Sequence, residues 1–72
     1  MMTADGLREA RRKLGLTQVE FAKAFQVNVR SVSAYEVGER NGRPATIPPS
    51  LALLVGFAVK HPMIRRELGI KS

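Results

Sequence analysis

The stretch "LGLTQVEFA", residues 14–22, constrains this chain more than any other part of it. Thr17-Gln18-Val19-Glu20 has the form of a capping box: the Thr17 hydroxyl can accept from the Glu20 amide while the Glu20 carboxylate reaches back to the Thr17 amide. Leu16 and Phe21 fall at the two positions of a hydrophobic staple around it. A helix therefore starts at Gln18, with Val19, Ala22 and Phe25 as its apolar stripe. Upstream, Leu7, Ala10 and Leu14 recur at helical spacing; Thr3 suits the N-cap of that helix and Gly15 the left-handed residue past its end. Only Gly15 and Leu16 separate Leu14 from Thr17, so the two helices must turn sharply against each other.

The next stretch, "FQVNVRSVSAYE", admits two readings. Phe25, Val27 and Val29 alternate with polar residues as in a half-buried strand, but Val29, Val32 and Tyr35 step by three. No second segment offers a convincing run of period two to pair with such a strand. The helical reading is preferred: Gln26 and Val27 form a tight turn, Asn28 is the N-cap, and the helix runs from Val29 to about Val37 with Gly38 closing it. Val32 and Tyr35 face inward, and Val27 plugs the turn.

Beyond it, "ERNGRPATI" (39–47) reads as a loop rich in turn residues, carrying Arg40 and Arg43. Pro48 and Pro49 suit a helix start, and Leu51, Leu54, Val55, Ala58 and Val59 make a clean helical stripe. Leu53 and Phe57 lie off that stripe as a second apolar edge. His61-Pro62 ends the helix, and Pro62 can open a short last one to about Leu68, stopped by Gly69. The expected fold is all-α: a compact bundle of about five short helices forming one domain over residues 1–72.

At 72 residues a single core supplies only about 3–5 kcal/mol, so oligomerisation is expected. The chain has no cysteine and one histidine, His61, which excludes a disulfide framework and a Cys/His zinc site. No segment reads as a membrane span or a signal peptide, and the protein is read as soluble and cytoplasmic. Twelve Lys and Arg against six Asp and Glu leave a formal charge of +6, pointing to a polyanionic partner. The basic residues are spread over several segments rather than along one amphipathic helix, which disfavours a membrane surface. Arg11, Arg12 and Lys13 could flank a duplex, although a charge run on a helix is usually its wet face.

Two short helices joined by a tight turn form a helix-turn-helix pattern. Residues 7–38, "LREARRKLGLTQVEFAKAFQVNVRSVSAYEVG", resemble the helix-turn-helix family of lambda-type phage repressors, Cro proteins and related small bacterial regulators and antitoxins. The resemblance rests on "LR-AR--LGLTQ-EFA", Ala22 at a close helix crossing, Val27 in the turn, Val32 in the second helix, and the "YE-GER" ending. "LLVGFAVKHP" further resembles the fourth helix of small members of that family. The chain departs from the pattern at Gln26, where relatives usually carry a left-handed glycine, and in a loop after Gly38 about five residues longer than the common version.

The resemblance implies a lambda-repressor-like DNA-binding domain whose helix-turn-helix core is 17–38, with residues 29–37 in the major groove and 49–69 serving core and dimerisation. Candidate DNA-binding residues are Gln18, Asn28, Val29, Arg30, Ser31, Ser33, Ala34, Arg40 and Arg43. Gln18, at a helix start, suits a phosphate and in similar proteins also buttresses the recognition helix. Arg30 can donate twice to guanine, Val29 or Ala34 can pack on a thymine methyl, and Ser31 can reach a base edge or a phosphate. Ser33 reads as backbone-facing or solvated. Arg40 and Arg43 stand where relatives touch the DNA backbone. Leu53, Phe57, Met63, Ile64 and Ile70 are the candidate dimer interface.

The leading expectation is a homodimeric repressor on a palindromic operator, with no metal and no cofactor. The alternative is an antitoxin-like module whose apolar C-terminal surface binds a partner protein such as a toxin. An RNA-binding domain would need surface aromatics that this chain lacks. Against an enzyme stand the absence of a phosphate-cradling glycine loop or nucleophile motif, and a sole histidine set before a proline with no acidic neighbour.

Overall fold

The computed structural model describes residues 2–70. Five α-helices, α1 (Ala4–Lys13), α2 (Gln18–Ala24), α3 (Val29–Val37), α4 (Pro49–Lys60) and α5 (Pro62–Glu67), enclose one core, as the sequence patterning predicts. Between α3 and α4 lies an element that was expected only as a loop: a two-stranded antiparallel hairpin, β1 (Glu39–Arg40) and β2 (Arg43–Pro44). Its turn is Asn41-Gly42, with φ of 54° and 77°. Positive φ at both central residues is the type I′ pattern, whose twist matches that of the flanking strands and which Asn-Gly favours.

The helix starts follow their sequence signals. Thr3 accepts from the Gly6 amide at 3.0 Å. The capping box is complete, with Glu20 N donating to Thr17 Oγ1 at 3.1 Å and Thr17 N to Glu20 Oε1 at 2.9 Å. Pro49 and Pro62 each occupy the first position of a helix, where the missing N–H has no partner to lose.

Three helix ends share one device. At α1, α2 and α5 the chain passes through a left-handed residue, Gly15 (φ 71°), Gln26 (φ 56°) and Gly69 (φ 79°). The amide two residues beyond each cap then reaches back to the third residue from the helix end: Leu16 N to Arg11 O at 3.2 Å, Val27 N to Ala22 O at 2.9 Å, Ile70 N to Arg65 O at 2.9 Å. This is the Schellman arrangement, which also turns the following apolar residue inward. Leu16 and Val27 accordingly pack against the core, and Ile70 is buried in it.

Leu7, Leu14, Phe21, Val32 and Val55 form the fully buried centre, with Ala22 and Ala58 allowing close approach of the helices. Phe21 and Phe25 stack with ring centroids 4.4 Å apart. Ile47, just after the hairpin, anchors that segment to the core. Ile70 therefore cannot serve the dimer interface assigned to it from sequence, because the turn at Gly69 spends its side chain on the protomer's own core. Ile64 is half-buried against the same core, whereas Leu53 (60% exposed), Phe57 (42%) and Met63 (77%) lie open. No helix among the described residues is long and apolar enough to cross a membrane.

Candidate nucleic-acid interface

The turn between α2 and α3 determines what α3 presents. The left-handed Gln26 reverses the chain, Val27 closes the turn over the core, and Asn28 restarts a helix, its Oδ1 accepting from the Arg30 amide at 2.8 Å. The Asn28 side chain is thus engaged as a cap through its oxygen. Val29 and Arg30 follow on the first turn and are exposed, while Ser31 and Ser33 are half-buried. Ala34, expected on the outer face, is 9% exposed. The reason is that α3 packs against both α1 and α2, which leaves it a narrower free arc than a helix resting on one neighbour.

The same double packing buries a residue that the sequence reading passed over. Glu36 is 3% exposed. Its carboxylate accepts from Arg11 Nε at 2.7 Å and Nη2 at 3.0 Å, and from Gln18 Nε2 at 3.3 Å; its backbone carbonyl accepts from Arg8 Nη2 at 2.7 Å. Arg11 Nη1 also donates to the Leu16 carbonyl at 2.9 Å, tying the α1–α2 turn to the same group. Burial alone would push the Glu36 carboxyl up. Hydrogen bonds from Arg11 and Gln18, with the charges of Arg11 and Arg8, outweigh it and hold the carboxyl below its ordinary range. Arg11 is raised in turn by its hydrogen bond to Glu36, against the effect of its own burial.

Arg11 is therefore not part of a wet charge run: it is the internal partner of α3. The sequence signal existed, since Glu36 stands four residues after Val32 and so shares its inward face. Gln18 is half-buried at the start of α2, where it links α2 to α3 through Glu36. That link is the buttressing the resemblance implies for it.

The ion pairs sort the surface charge. Arg8 pairs with Asp5 at 3.5 Å and Arg12 with Glu9 at 3.8 Å on α1, and Arg11 is taken by Glu36. Arg30, Arg40 and Arg43 have no acidic group within ion-pair distance among the described residues. The only acid of α3 is buried and neutralised, so the exposed part of that helix carries the single charge of Arg30. Arg40 and Arg43, both exposed, face each other across the hairpin that begins one residue after Gly38.

A family model described as helix-turn-helix matches residues 7–47, more than half of the chain. No curated protein and no solved structure matches it. The matched span begins at the first core residue of α1 and ends at Ile47, and so includes the capping box, the turn at Gln26, α3 and the hairpin. With that match, the chain belongs to the helix-turn-helix family of lambda-type repressors, Cro proteins and related small regulators, and is a DNA-binding regulator.

Proposed function

We propose that this protein is a sequence-specific repressor of phage or bacterial origin that binds a palindromic operator as a homodimer, α3 entering the major groove of each half-site. The observation that carries the reading is the charge of α3: Glu36 is consumed internally and Arg30 stands alone on the exposed first turn. Arg30 is the base-reading residue, donating to guanine O6 and N7. Val29 lies beside it for a thymine methyl; Ser31 and Ser33 reach the backbone or a base edge. Gln18 and Asn28 hold phosphates from the two helix starts. Ala34 packs against the neighbouring helices and makes at most a methyl contact. Half-sites about one helical turn apart follow from two-fold symmetry.

The dimer forms through Leu53, Phe57 and Met63, with Ile64 at the margin; residues 17–38 read DNA and 49–69 complete the core and carry this interface. The promoter upstream of its own gene is the first operator to test. Footprinting on that DNA should show protection over two half-sites, and Arg30→Ala should weaken specific binding by about 1–3 kcal/mol while relaxing the preference at one base pair per half-site. Neutralising about six phosphates gives a slope of log K against log salt near −5. Absence of protection at every salt concentration would sink the proposal. Stoichiometric co-purification of another protein from the native host would instead favour an antitoxin-like role for the exposed apolar patch.

A further inference from the structure

The exposed residues of α4 run along one line of that helix: Pro49, Ser50, Leu53, Phe57, Lys60 and, at its cap, His61. The first four carry no charge, and the two titratable groups stand together at the C-terminal end. His61 shares the face of Phe57: their ring centroids lie 6.0 Å apart, and the His61 amide donates to Phe57 O at 2.8 Å. No acid among the described residues lies within ion-pair distance of Lys60 or His61. From α5 come Arg65, whose Nη1 donates to the Ala58 and Val59 carbonyls at 2.9 Å each, the exposed Arg66, and Glu67 at its far end. The other helix packed on α4 is α1, and the core that α4 meets is its opposite side, Leu51, Val55 and Ala58.

We propose that α4 pairs antiparallel with α4 of a second copy about a two-fold axis at the level of Val55, and that His61, set against the start of the other copy's helix, makes this dimer weaken when it is protonated. The inference rests on the homodimer reading above and supplies its geometry and its regulation. Leu53 and Phe57 lie equally far on either side of Val55, so each Leu53 meets the other copy's Phe57. Lys60 then faces Ser50 of the other copy, and His61 faces its Pro49. A parallel pair would instead bring the two cationic ends together with no acid between them, a like-charge contact that costs affinity. The antiparallel pair also sets opposed helix dipoles side by side. The same dipole produces the pH response, because the start of α4 carries partial positive charge and has no acid in its first turn. Neutral imidazole is tolerated there, and imidazolium is repelled. Histidine changes charge between pH 5 and 8, and this chain has one. The dimer therefore binds fewer protons than two monomers, so association strengthens as pH rises and weakens as it falls.

Sedimentation equilibrium of the protein without DNA tests the arrangement. The dimer dissociation constant should rise about fivefold between roughly pH 7.5 and 5.5, and stay level over that range in His61→Gln. Ser50→Glu should tighten the dimer about fivefold at low salt, since it faces Lys60 of the other copy twice per dimer, and the gain should fade at about 1 M salt. Ser50→Glu combined with Lys60→Glu should lose that gain, although it reduces the positive charge of the chain further. A double variant tighter than Ser50→Glu alone would trace the effect to net charge and overturn the geometry. So would a pH response that persists in His61→Gln or is absent from the wild type. Those outcomes leave the homodimer standing, whereas a wild-type chain that stays monomeric at every pH would remove the dimer reading and this inference together.

Discussion

Gln26 is the residue most at odds with its own backbone. Two other helices of this protein end in the same hydrogen-bonded turn, and both place glycine where α2 places glutamine. A side chain at positive φ crowds the following carbonyl, at a cost of roughly 1 kcal/mol. Its exposure shows that nothing in the core compensates. Gln26→Gly should therefore raise stability by about 0.5–1 kcal/mol, a shift of several degrees in a thermal melt for a chain of this size, with the added backbone entropy of the unfolded state taking back part of the gain. A lower melting temperature would show that the glutamine side chain makes a contribution that its exposure hides. The position was legible in sequence as a departure from the family pattern. Ile70 was legible only in part: a glycine past the helix end followed by an apolar residue is the same signal as Gly15-Leu16, but how deeply the side chain is buried depends on the core it meets beyond the hydrogen bond from Ile70 N to Arg65 O. Ala34 was misplaced for a related reason, because the apolar spacing of a short helix does not say how many neighbours it has.

Among the elements, α1 and α3 are joined by a buried ion pair. Arg11 and Glu36 meet in bidentate geometry, with side-chain exposures of 16% and 4%, and Gln18 shares the carboxylate from α2. Glu36→Gln leaves a largely buried guanidinium without its charge, which should cost about 2–4 kcal/mol, between the exposed and fully buried limits for ion pairs. The apolar pair Arg11→Met with Glu36→Leu should recover most of that in denaturant titrations. The pH dependence follows from the same contact. The folded carboxyl titrates below its unfolded value of about 4.3, so between the two the unfolded chain binds more protons and stability rises with pH. The stabilisation is fully present above that unfolded value and is lost as pH falls through the lower, folded one. Glu20, held low by its hydrogen bonds to Thr17, moves in the same direction. Glu36→Gln should thus flatten part, but not all, of the acid limb in melts between about pH 3 and 5; an unaltered limb would refute this assignment. The capping box and the proline starts were readable from local chemistry, and the hairpin could have been, since Asn-Gly is its strongest short-range signal. It was read as loop because two residues a side show no alternation to recognise.

On the scale of the whole molecule, one apolar edge of α4 stands exposed. Leu53 and Phe57, one helical turn apart, stand exposed with Met63 of α5, while the rest of the apolar stripe is spent on the core. A domain this small gains from burying such a patch against a second copy, and two-fold symmetry would let one helix face meet itself. Phe57→Arg should then shift the protein from dimer to monomer in sedimentation equilibrium and weaken operator binding by more than tenfold, without lowering helix content, because the side chain is not part of the protomer core. A DNA-competent dimer carrying that substitution would move the interface elsewhere.

The sequence by itself determined the helices, most of their caps and turns, and the family, because capping, left-handed termini and apolar period act over three or four neighbours. The strand-like alternation of "FQVNVRSVSAYE" resolved into a helix-turn-helix seam on the same local grounds. Only the tertiary structure decided which arginines are held by acids of the protein's own. Arg8 and Arg11 are indistinguishable from Arg30 or Arg40 by composition, and it is the crossing of α1, α2 and α3 that brings Glu36 against Arg11 at 2.7 Å. Burial made that pair obligatory, since a carboxylate taken out of water needs a cation, and among the described residues it left Arg30, Arg40, Arg43, Arg66, Lys13, Lys23 and Lys60 with no acid within ion-pair distance.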